Sequence, residues 1–84
     1  MAYEVTYYHD DEDNAATDQH TVGPFPTFKT ALSAAHQPPG PRWNGGATIH
    51  KGRIIPGELG VRPDEWEDDE RTLPWYVYDG VVQR

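Results

Sequence analysis

Two proline clusters decide most of what this chain can fold into. Gly23-Pro24-Phe25-Pro26 and Pro38-Pro39-Gly40-Pro41 remove backbone donors and clamp the chain at non-helical positions, so no regular helix runs through either. Between them lie residues 27–37, where Phe28, Ala31, Leu32 and Ala35 recur at i, i+3, i+4 and i+7. That spacing predicts one amphipathic helix. Thr27 is placed to cap it with its hydroxyl, and it must end near His36 or Gln37, because Pro38 pushes Gln37 away from helical angles.

The other patterned segments alternate with a period of two. Residues 2–9 set Tyr3, Val5 and Tyr7 on one face and Glu4, Thr6 and Tyr8 on the other, which is a strand pattern. A short strand over residues 19–23 is expected to pair back on it, broken by the first proline cluster. A third runs over residues 47–55, between the turn signal Asn44-Gly45-Gly46 and Pro56-Gly57. A fourth covers residues 73–78 before a tight turn or bulge at Asp79-Gly80, followed by Val81 and Val82. Residues 10–18 and 57–72 are expected as polar loops, the second with a helical turn starting at Pro63, since proline followed by acids suits a helix N-terminus.

The expected fold is therefore α+β, a single domain over residues 1–84 in the order β-β-α-β-β. An antiparallel sheet of about four strands carries one helix across one face, burying Val5, Val22, Phe25, Phe28, Leu32, Ile49, Trp75 and Val77. With 84 residues the chain buries only about 60–65% of its unfolded surface, so each large apolar side chain counts. There are no cysteines, which excludes disulfides, thiolate zinc sites and thiol nucleophiles together. The N-terminus has no basic segment followed by an apolar run, and no window approaches the apolar length of a membrane span. A soluble, cytoplasmic protein without membrane contact is expected.

The formal net charge is −7, unevenly spread. Residues 1–22 hold six acids and no Lys or Arg, residues 23–63 hold five bases against Glu58 alone, and residues 64–84 hold seven acids against two bases. The fold can lay the basic middle against the acidic ends, or leave two faces of opposite sign. The densest run is residues 64–70, where Asp64, Glu65, Glu67, Asp68, Asp69 and Glu70 surround the single apolar ring of Trp66. Carboxylates steer a cationic partner, and an accessible indole then anchors it by burying apolar area. Asp10, Asp11, Glu12 and Asp13 are expected to join that surface.

Chemistry finds no framework here. Counted as a calcium loop from Asp11, the acidic segment places Ala15 and Val22 where ligands belong and Ala16 where the turn glycine belongs. No histidine pair has the i, i+4 spacing of a helical zinc site. Ser33 is the only serine and has no flanking glycines to form a strained elbow. His50, Arg53 and Glu58 are close in sequence and are the best general acid–base group available. No catalytic, metal or cofactor site is expected, and no enzymatic activity. Arg42, Trp43, Lys51 and Arg53 form a basic and aromatic set that would suit weak nucleic-acid binding, which the overall negative charge opposes.

One segment, Thr21-Val22-Gly23-Pro24-Phe25 with Thr27 and Ala31, resembles the strand-to-helix passage of sporulation-related repeat domains, a family that binds peptidoglycan glycan strands. The likeness spans about a dozen residues of 84 and implies a strand running into a helix there. The family's function is not carried over.

The functional expectation is a small acidic protein-binding module centred on residues 64–70, of the kind encoded by phage or accessory genes as inhibitors. It would engage a basic or nucleic-acid-handling protein through carboxylates that stand where phosphates would. The alternative is a structural or assembly protein that self-associates through Tyr8, Tyr76 and Tyr78 beside a strand edge.

Overall fold

A computed structural model of the protein describes residues 1–9 and 19–83. Among these, six strands and one helix follow in the order β1 (Ala2–Tyr8), β2 (Gln19–Phe25), α1 (Phe28–Ala35), β3 (Ala47–Ile55), β4 (Glu65–Asp68), β5 (Trp75–Tyr78) and β6 (Val81–Gln83). Every strand pairing is antiparallel, in the order β2-β1-β3-β5-β6. The class is α+β.

β3 is the hub. One of its edges pairs with β1. The other is shared end to end, residues 47–49 meeting β5 and residues 52–55 meeting β4. Residues 69–74 therefore bridge a stretch of β3 filled by only His50 and Lys51. The surplus is thrown out as a turn held by Asp69, whose amide donates to the Lys51 carbonyl at 2.8 Å and whose own carbonyl accepts from the Thr72 amide at 3.1 Å.

Alternation along the strands puts Val5, Tyr7, Ala47, Ile49 and Val77 under α1. Val5 and Ile49 face each other across β1 and β3 and are fully buried. Each such burial stabilises by about 1.5–3 kcal/mol. Ala31 and Ala35, buried on the helix, let it approach the sheet closely. At its first turn Phe28 meets Trp75, with centroids 4.7 Å apart, and Tyr3 at 5.8 Å. The Tyr7 hydroxyl donates to the Ala34 carbonyl at 2.6 Å, tying strand to helix.

The helix follows its sequence pattern. Thr27 caps it by accepting from the Thr30 amide at 3.2 Å, and His36 closes it. β3 also has the expected bounds. Other expectations are corrected. β2 does not stop at Gly23 but continues through a cis Gly23–Pro24 peptide to Phe25, which pairs with Tyr3 across a register shift. Pro24 is tolerated because β2 is an edge strand, where a missing donor costs no pairing. The expected polar loop 57–72 contains β4, which starts at Glu65 in place of the helical turn from Pro63. β4 and β6 raise the strand count to six, and Leu73 and Pro74 lie outside β5. In the core, Val22, Phe25, Phe28, Leu32 and Trp75 are half-buried at the rim, while Tyr7, Ala31, Ala35 and Ala47 fill the centre. A single short helix cannot roof the whole sheet. The loop expected over residues 10–18 lies outside the described residues.

Candidate functional site

β4 is the strand that carries the acidic run, and its geometry divides that run. Ile54 faces Trp66 and Gly52 faces Asp68 on the sheet face away from the helix, while Arg53 faces Glu67 and Ile55 faces Glu65 on the other. The carboxylates of residues 64–70 thus stand on both sides of a strand. They do not form one continuous sheet of charge.

Several of them have internal partners. The Arg53 Nη2 lies 3.0 Å from Glu67 Oε1, with both side chains well exposed, so the pair contributes at most about 1 kcal/mol. Trp66 Nε1–H donates to Asp68 Oδ1 at 2.5 Å. The Gly57 amide donates to Asp64 Oδ1 at 2.7 Å, which ties the start of β4 to the end of β3. Asp69 accepts from the Thr72 hydroxyl at 2.8 Å and the Arg71 amide at 3.1 Å. Those two bonds, the Thr72 one first, hold the Asp69 carboxyl below its ordinary value. Glu65 and Glu70 are exposed. The basic middle of the sequence does lie against the acidic end here, through Arg53 on Glu67 and Lys51 near Asp69.

Trp66 is half-buried and packs against the backbone of Gly52. Glu4 shares that face opposite His50. Its carboxyl is raised above the ordinary value, chiefly by burial, then by the negative charge of Asp68, with His50 acting in the opposite sense.

The β3–β4 hairpin projects beyond the covered sheet and ends in a tight turn. Glu58 and Arg62 exchange backbone bonds of 2.9 Å in both directions. On that closed turn Leu59 is 103% exposed and Val61 72%. Neither side chain belongs to the acidic run or to a periodic pattern. Their signal was Leu59-Gly60-Val61, apolar residues inside an otherwise polar connection.

Asp10, Asp11, Glu12 and Asp13 lie outside the described residues. His50 and Arg53 sit on opposite faces of β3, and Glu58 is at the hairpin tip, so that acid–base set is not assembled. Trp43 stacks on His20 at 5.6 Å and has the Arg42 guanidinium 5.5 Å from its centre. His20 pairs with Tyr7, whereas Lys51 pairs with Tyr3 at the far end of β1, about 13 Å away, so Arg42, Trp43, Lys51 and Arg53 form no single patch. Tyr76 and Tyr78 are exposed and stacked at 6.3 Å on the open face, and the Tyr8 hydroxyl is bonded to Thr48 there. No described helix is long and apolar enough to cross a membrane. No protein-family model matches the chain, and no curated protein or solved structure matches it significantly.

Proposed function

We propose that this protein is a binding module that docks a basic partner protein on its β3–β4 hairpin. One observation carries the reading: an edge strand presents a half-buried indole between carboxylates, next to a closed turn that holds Leu59 and Val61 in solvent. Backbone bonds between Glu58 and Arg62 close the turn, so the side chains of Leu59 and Val61 take no part in holding it. The carboxylates raise the encounter rate with a cationic surface, and Trp66, Leu59 and Val61 supply the apolar area that must leave water for the complex to last.

The partner in this reading is a nucleic-acid-handling protein whose lysines and arginines meet carboxylates in place of phosphates. The module acts by occupying that surface, as an inhibitor does, and carries out no chemistry. The test is capture of partners from the source cell by wild type and by a Glu65→Lys, Glu67→Lys, Asp68→Lys variant. Asp69 is left intact because it holds the turn after β4. Loss of the captured protein on charge reversal, and recovery of capture by a partner with its basic patch also reversed, supports the reading. Equal capture at low salt overturns it.

A second reading rests on the other end of the sheet. The stacked Tyr76 and Tyr78 lie beside β6, an edge strand with Val81 54% and Val82 39% exposed, a surface suited to self-association. Light scattering after size exclusion separates the two, since a stable oligomer favours assembly and a monomer favours the docking module.

A further inference from the structure

The pairing of β3 with β4 fixes which backbone groups of β4 remain unused. In an antiparallel pair, residues alternate between those whose amide and carbonyl point at the partner strand and those whose groups point away. The Asp69 amide donates to Lys51, so Asp69 points inward. By alternation Glu67 and Glu65 also point inward, opposite Arg53 and Ile55. The amides and carbonyls of Trp66 and Asp68 therefore point outward. β4 pairs only with β3, and among the described residues no hydrogen bond reaches those outward groups.

Resting on the reading of the hairpin as a docking element, we propose that the free edge of β4 takes up an extended basic segment of the partner as an added strand. Backbone pairing to Trp66 and Asp68 supplies the registration, as in other strand additions to a sheet edge. The alternation of β4 then dictates the composition of the guest. On the helix side of the sheet its side chains meet Glu65 and Glu67, which select arginine or lysine. On the open side they meet Trp66, which selects an apolar residue, and Asp68, whose carboxylate is already taken up by the Trp66 indole N–H. The guest is thus an extended segment with cationic and apolar residues in strict alternation. Its arginines compete with Arg53 for Glu67, and the solvent exposure of that pair leaves it open to exchange.

The test uses the whole chain and a short acetylated, amidated peptide that alternates arginine with valine. Two control peptides are the same sequence with proline at the central valine and with glutamate for every arginine. Two protein variants isolate the backbone. Asp68→Pro removes an outward amide that β3 does not use, and Asp68→Ala removes the carboxylate while keeping the amide. The expected result is binding of the alternating peptide, with new exchange protection at the Trp66 and Asp68 amides and an affinity about tenfold weaker for Asp68→Pro than for Asp68→Ala. Equal binding by the proline-containing peptide overturns strand addition even where Asp68→Pro fails to fold, because that comparison uses the wild-type protein. If the glutamate peptide binds as well as the arginine one, the acidic docking reading itself is overturned.

Discussion

Trp66 covers Gly52. A methyl group built on Gly52 would stand 2.6 Å from the indole Cζ2 and collide with the Glu67 carbonyl oxygen, so any side chain here forces the indole and the β4 backbone to shift. The two residues are diagonal neighbours on the open face, and the missing side chain at Gly52 leaves the space the indole occupies. The half-buried anchor of the proposed site is thus seated by a glycine on the central strand.

Gly52→Ala is therefore expected to displace Trp66 and loosen β4, at a cost of about 1–3 kcal/mol from overpacking. A fall in the urea midpoint together with a red shift of tryptophan emission would show this. Unchanged emission would mean the indole does not depend on Gly52.

Tyr7→Phe removes the hydroxyl that bonds Ala34 but keeps the ring in the core. The expected loss is about 0.5–1.5 kcal/mol, measurable by urea unfolding. A larger loss would mean the ring itself had moved.

Thr27→Ala removes one arm of a reciprocal cap in which Thr27 and Thr30 each bond the other's backbone amide. In a helix of eight residues the first turn is a large share of the whole. The expected cost is about 1 kcal/mol, with Thr27→Ser or Thr27→Asp restoring most of it.

Two carboxylates respond to pH with opposite signs. Glu4 has a raised value in the folded state, so folding favours its protonated form. Its unfavourable contribution is absent in acid, appears as pH rises through the carboxylate range, and persists at neutral pH. Glu4→Gln should raise the urea midpoint near pH 7 and lose that advantage near about pH 3. Asp69 has a lowered value, so its contribution is present above the unfolded carboxylate value and is lost as pH falls through the folded one. Asp69→Asn should destabilise near neutral pH and converge with wild type in strong acid. The reverse order of either pair would contradict the contacts described.

The helix was legible because its determinants are local. Proline placement, a capping hydroxyl and a period of 3.6 act within one turn, and α1 sits where they put it. β3 was legible for a similar reason, bounded by turn residues on both sides. β4 was not. Glu-Trp-Glu-Asp has weak strand propensity and becomes a strand because the free half of the β3 edge offers it partners. β2 passed through a proline because, as an edge strand, it uses only one side of its backbone.

By itself the sequence determined the α+β class, the helix α1, the central strand and the concentration of acid around a single indole. Only the tertiary structure decided how that acid is distributed, which carboxylates meet Arg53, the turn after β4 or solvent, and which amides of β4 stay unpaired. Those outcomes depend on strand pairing between residues far apart in the chain, and the energy of such pairing resides in the neighbour rather than in the segment itself.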